Sequence, residues 1–331
     1  MAVNTWDGAA DTDWNTAGNW DTTGVTDRVP TSADDVVIAN VSNKPVMGDG
    51  LNPTLLSLEV AASSQLTCGA NTITVTSARG GYAFNVSGTL VPSGSTVVLS
   101  GIGSDAYTKV DTGSFNNLTI NSSGDTIQLG NNLTVGGALT ITAGELDIKT
   151  RTLTVTGDVS VTGTLTGNAS AISMGSLTIA SGGTYNATSG TTTLTSEGGG
   201  NTLTINASGG VFNHNKGLVK CTFSGNTNMY ITTAAGNGGL WDLEIVGSSI
   251  HYYYVTPTIL NNVTVTSGSF NSGNNTEPLI IRGNVYVASG ATMFAAAQSG
   301  AVTIDGLLTN AGTYRTSSAA NNLNGGVRNL G

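Results

Sequence analysis

Between Asn131 and Leu165 the chain reads as short triplets, apolar at the first and third positions and polar at the second, parted by corners that carry glycine. The apolar positions are Leu133 and Val135, Leu139 and Ile141, Leu146 and Ile148, Leu153 and Val155, Val159 and Val161. Alternation with period two sends successive side chains to opposite faces, so each triplet predicts a short strand with one buried face. The phase returns after about twenty residues: Leu133 is followed by Leu153, Leu139 by Val159 and Val159 by Ile179. Three triplets per return predict a three-sided coil. One coil cannot bury its inner face alone, so coils stack and each strand pairs in parallel with the one below. The expected fold is all-β, a right-handed parallel β-helix of about 20 residues per coil. Thr, Val and Ile suit a pleated, half-buried surface, and Gly or Asn can take positive φ at the corners.

The rest of the chain divides around that pattern. Residues 1–40 hold three of the four tryptophans, Trp6, Trp14 and Trp20, among Asp, Asn and Gly. Large rings there predict an N-terminal cap, because the open end of a β-helix exposes apolar side chains and strand edges. Residues 41–315 are the predicted β-helix, with Pro53 and Pro92 at corners or edges. Within it, residues 102–114 (IGSDAYTKVDTGS) lack alternation and predict a loop leaving the coil. The stretch SEGGGN at 196–201 lacks the lysine and following helix of a phosphate loop and predicts a flexible corner. Sliding the second half back by about 125 residues matches FNNLTI with LWDLEI, ALTITAGEL with NVTVTSGSF and LTVTGDVSV with LIIRGNVYV. This internal duplication predicts two long repeats. Residues 316–331 lose the pattern and predict a C-terminal tail or cap.

Composition narrows the partners. Of 331 residues, 38% are hydrophobic and only 9% charged, so the surface is polar but mostly uncharged, supplied by Thr, Ser and Asn. The net charge of −9 and the absence of any Lys or Arg cluster exclude nucleic acid and an anionic membrane as expected partners. The opening MAVNTWDGAADTDW has neither a basic n-region nor an apolar h-region, and no segment approaches a membrane span. The expectation is a chain without a Sec signal and without membrane insertion. Cys68 and Cys221 sit in separate strand-like runs and predict buried free thiols.

Candidate chemistry is sparse. Asp7, Asp11, Asp13, Asp34 and Asp35 fall in the cap, and Asp34 with Asp35 is the candidate Ca²⁺ site, weighed against turn aspartates that bind no cofactor. Glu145 with Asp147, and Asp242 with Glu244, share strand faces as an acid–base pair would. Lys149 and Arg151 continue the first row in phase, predicting a plain charge ladder, and the second pair has no Arg or Lys nearby in sequence. His214, in FNHNKG, predicts a solvated turn histidine. His251 and Tyr253 are expected to face outward and, with Trp241, to form an aromatic binding patch for a sugar ring or another chain. No catalytic constellation is present, so the expectation is a protein that is not an enzyme.

The segment TWDGAADTDWNTAGNW, followed by VPTSADDVVIAN, resembles the opening of β-helical surface and virion structural proteins of bacteria and phages. The resemblance covers about forty residues directly and the remainder only in repeat style. It implies a structural protein on a phage virion surface (decoration, knob, fibre or spike component), homotrimeric, with other virion proteins as partners and host surface glycans met through loops. The alternatives are a bacterial cell-surface or secreted adhesin and a polysaccharide-degrading β-helix enzyme.

Overall fold

The computed structural model describes residues 2–195, 200–205, 209–223, 225–231, 239–247, 249–254, 258–272, 276, 278–295 and 298–330, with the side chains of His251, Tyr253, Tyr254 and Thr258 outside that description. Most of the SEGGGN corner also lies outside the described residues. The chain is a parallel β-helix in which almost every strand pairs in parallel with its counterpart one coil away. It divides into two units, Met1–Thr156 and Gly157–Gly331.

In the first unit the cap and the first coil share a strand. Ala2–Trp6 pairs antiparallel with Trp20–Thr22 on one side and parallel with Asp34–Ile38 on the other. Trp20 is the hub of the cap, meeting Trp6 edge-on at 5.0 Å and Trp14 edge-on at 4.6 Å between ring centroids. Both indoles that carry described bonds point into backbone: Trp6 Nε1 donates to the Asn43 carbonyl at 2.7 Å and Trp20 Nε1 to that of Trp14 at 2.9 Å. The cap also reaches past residue 40, because Val46 exchanges backbone hydrogen bonds with Thr12 and Trp14.

Above the cap, three ladders rise. The first runs through Asp34–Ile38, Ser57–Val60, Tyr82–Val91 and Ala106–Gly113. The second joins Gln65–Thr67 to the latter half of Tyr82–Val91. The third runs through Thr54–Leu55, Thr72–Val75, Thr96–Ser100, Asn117–Leu129 and Leu139–Asp147. Inward residues stack in register, so Ile73, Val97, Leu118 and Leu139 form one continuous buried column. Residues 102–114 do not leave the coil as their sequence predicts: Ala106–Gly113 is a ladder strand. Its inward positions are Ala106, Thr108 and Val110, and Thr108 is fully buried, so small and polar residues conceal the alternation.

The second unit continues the same construction. One ladder carries Thr191–Leu194, Leu218–Phe223, Asp242–Gly247, Val263–Val265, Val285–Val287, Leu308–Asn310 and Val327–Asn329. A second carries Asn201–Ile205, Thr227–Ile231, Ser249–Tyr254, Ser269–Ser272, Thr292–Met293 and Thr313–Tyr314. A third carries Thr258–Ile259, Leu279–Ile281, Val302–Ile304 and Asn321–Leu323. The core column here is Val219, Leu243, Val263, Val285 and Leu308. Residues 316–331 therefore include another coil, not a patternless tail. Asn321 and Val327 take the places that Val302 and Leu308 hold below, and polar or exposed residues there erase the pattern from the sequence.

The repeat of about 125 residues has a counterpart in hydrogen bonds within each unit. Phe115 bridges to Val135 and Leu240 to Ile259, both in parallel. Asn117 Oδ1 accepts the Ala138 amide at 2.9 Å, and Asp242 Oδ1 accepts the Asn262 amide at 2.8 Å. A short polar side chain at the corner thus fastens each of these coils to the next.

Both cysteines are free and buried. Burial pushes the Cys68 thiol up to about 12, against a weaker opposing hydrogen bond with Ser95, and also raises Cys221. Only the thiolate is nucleophilic. The native chain is expected to give no reaction with a thiol-titrating disulfide reagent at pH 8, and two thiols per chain after denaturation; rapid reaction of native protein would show that the coils open.

Candidate functional site

The site begins at the corner between the strands Val211–Asn213 and Leu218–Phe223. Asn215 and Lys216 both adopt left-handed backbone, at φ 46° and 57°. The corner is held from within: the Lys216 amide donates to His214 Nδ1 at 2.9 Å, and the Gly217 amide to the His214 carbonyl at 2.9 Å. It then presses on the coil below, where a Cβ on residue 217 would lie 2.0 Å from the Thr188 carbonyl oxygen, so only glycine fits.

This corner delivers two side chains to Trp241, which immediately precedes the pair Leu218–Asp242 in the next coil. The His214 ring stacks on Trp241 at 5.3 Å and 21°. Lys216 Nζ lies 5.6 Å from the centre of the same ring, a cation–π arrangement. Beside the corner, the outward residues of three coils form a hydrogen-bonded column: Asn213 Nδ2 donates to Asn186 Oδ1 at 2.7 Å, and Asn186 Nδ2 to Thr166 Oγ1 at 3.1 Å. Column and corner enclose an open cleft of about 440 Å³ lined by Thr166, Asn186, Asn213, His214, Asn215 and Lys216. Partial burial, and then the nearby Lys216 charge, hold the His214 pKa below its ordinary 6.5. The imidazole is therefore mainly neutral at pH 7. With Nδ1 accepting the Lys216 amide, the ring proton of the neutral form sits on Nε2.

Histidine 214 is thus not the solvated turn residue its sequence setting predicts. Trp241 takes His214 and Lys216 as neighbours, and stands at the head of a different ladder from His251 and Tyr253, which lie in Ser249–Tyr254 opposite Asn228 and Tyr230. The outward patch expected of His251 and Tyr253 lies outside the described residues, since their side chains are not described.

The candidate Ca²⁺ carboxylates are separated by their strand. Asp34 is fully buried and bound by the Arg28 guanidinium, with Nη2 at 2.8 Å, and by the Thr31 amide and hydroxyl at 2.8 and 2.9 Å. Burial alone would raise the Asp34 pKa, but the bonds from Arg28 and Thr31 outweigh it and hold the carboxyl below its usual range. Asp35, its neighbour on the opposite face, instead accepts the Ser57 hydroxyl at 2.6 Å. The other cap aspartates serve turns: Asp7, Asp11 and Asp13 accept the amides of Ala9, Asp13 and Asn15. Among the described residues no three His, Cys, Asp or Glu side chains gather as a metal site would require.

The paired carboxylates are likewise engaged. Glu244 lies 3.1 Å from Lys220 and accepts the Thr266 hydroxyl, while Asp242 accepts the Asn261 side-chain amide at 2.9 Å as well as the Asn262 backbone. Lys220 stands opposite Glu244 one coil away, a neighbour that sequence proximity could not reveal. Around them is a smaller cleft of about 240 Å³. In the first pair, Asp147 is nearly buried and bound by Lys149 at 2.7 Å. The row does not continue in phase, because Lys149 has left the strand in a left-handed turn at φ 52°.

A family model described as a domain of unknown function (DUF8693) matches residues 5–87, which span the tryptophan cap and the first coils. No curated protein and no solved structure matches the chain. No helix among the described residues is long and apolar enough to cross a membrane.

Proposed function

We propose that the chain is a non-enzymatic structural protein on the outer surface of a phage particle, a decoration, knob, fibre or spike component that assembles as a homotrimer with other virion proteins. The observation that supports it best is the use made of charged side chains. Glu59 with Arg79, Glu244 with Lys220, and Asp305 with Arg282 each join one coil to the next. Exposed pairs of this kind add little to stability. The consequence for function is larger at Asp242 and Glu244, which are placed as an acid and base would be but are tied into the scaffold by Asn261, Asn262, Lys220 and Thr266. The Trp-rich opening that resembles phage and bacterial surface proteins is a buried cap, as a stable projecting solenoid needs.

The test is the mass of the purified chain in solution together with its binding to purified phage particles. Trimers that dock on particles are the expected result. A monomer that ignores particles and binds bacterial cells would replace the reading with an adhesin, and shortening of a polysaccharide would replace it with an enzyme.

A further inference from the structure

We propose that the cleft beside the His214–Gly217 corner binds an acidic saccharide, a sugar ring that carries a carboxylate. The first argument is charge. The chain has 20 carboxylate residues against 11 Lys and Arg, and Arg28, Arg79, Lys109, Lys149, Lys220 and Arg282 all pair with carboxylates. Lys216, like Lys44, Arg151, Arg315 and Arg328, takes part in none of these pairs, but it lines a cleft that contains no carboxylate among the described residues. The carboxylate nearest in register, Asp242, is already engaged by Asn261 and Asn262. A lysine outside any ion pair, lining an open cleft in so acidic a chain, is a site for an anion.

The second argument is the polarity of the wall. His214 Nδ1 is occupied by the Lys216 amide, which leaves the Nε2 proton as a donor, and the Lys216 ammonium has only donors to offer. Lining the same cleft, the Thr166–Asn186–Asn213 column carries a hydroxyl and side-chain amides at one-coil intervals, the groups that pair with sugar hydroxyls. Donors for a carboxylate beside mixed donors and acceptors in one cleft describe an acidic carbohydrate better than a neutral one. Trp241 acts behind the wall as a positioning residue, holding the imidazole and ammonium through stacking and cation–π contact. Every lining residue lies in the second unit, so the site needs no partner chain and does not depend on where the protein is displayed.

Trp241 is the one tryptophan outside the cap, so its indole N–H signal in NMR reports on the site. The full chain would be titrated with trigalacturonate and sialyllactose, and with their uncharged counterparts galactotriose and lactose. At least one acidic sugar is expected to shift the Trp241 signal while those of Trp6, Trp14 and Trp20 stay fixed, with the uncharged counterpart binding at least tenfold more weakly. Lys216→Gln, which keeps most of the stem and removes the charge, is expected to weaken acidic-sugar binding at least tenfold. His214→Phe keeps a ring on Trp241 and removes the Nε2 donor together with the Nδ1 acceptor of the Lys216 amide, and is expected to weaken binding severalfold; both variants would be checked for an unchanged far-UV spectrum. No shift with either acidic sugar, equal binding of the uncharged sugars, or unchanged binding by both folded variants would overturn the assignment. Failure of particle docking would leave this titration unaffected, so the two readings fail separately.

Discussion

Replacing Trp20 with Ala is expected to destabilise the cap by about 3–5 kcal/mol, the usual loss for a buried tryptophan. Trp20 is fully buried and bridges Trp6 and Trp14, so its removal leaves a cavity between two rings that have no other described ring contact. The effect should be local. In a solenoid each coil touches mainly its neighbours, so the damage falls on Ala2–Trp6 and the Asp34–Ile38 strand paired with it. Native-state hydrogen exchange is the suitable measurement: amides of the cap and first coil should lose protection, while those of Val285–Val287 keep theirs. Uniform loss along the chain would mean that the coils unfold as one unit.

The second large effect is expected from Gly144→Ala. Gly144 lies within Leu139–Asp147 at φ 77°, where a Cβ would come 2.0 Å from the Ser122 carbonyl oxygen and 2.9 Å from that of Asp125. The close approach arises because the partner strand carries extra residues between Asn121 and Thr126, around which the register shifts. Left-handed backbone alone costs about 1–3 kcal/mol for a residue with a side chain. Gly124 supplies the control, since at φ 85° it has nothing within 4 Å of its Cβ position. Gly124→Ala should therefore show the conformational cost alone and Gly144→Ala a clearly greater loss, read from denaturant midpoints of the two variants. Equal losses would show that the two coils separate at little cost.

Much of this architecture is legible in the sequence where inward positions are large and apolar. Leu133, Leu153 and Val155 announce their ladder, and Leu133 pairs with Leu153 twenty residues on. The signal fades where a coil fills its interior with small or polar residues, as at Ala106 and Thr108, or where the last layer carries Asn and exposed Val, as at Asn321 and Val327. The cleft was illegible for another reason. His214, Lys216 and Trp241 meet only through coil register, and register drifts: Thr164 pairs with Thr184 after twenty residues, but Thr184 pairs with Val211 after twenty-seven. A periodicity read from the regular coils cannot place Trp241 over a corner that precedes it by one irregular turn. The same reasoning hides Lys220 from Glu244.

The tryptophan cap has a consequence for how this protein is observed. Three of its four indoles belong to one small cluster at the start of the chain, so intrinsic fluorescence is chiefly a local optical probe of that end. Circular dichroism in the far ultraviolet averages over all the coils. Because neighbouring coils are joined only in series, melting curves from the two signals can part company while every molecule follows the same route. A gap between them measures how far the fraying of one end runs ahead of the rest, and shifting a single tryptophan to a later coil would move the optical window along the solenoid.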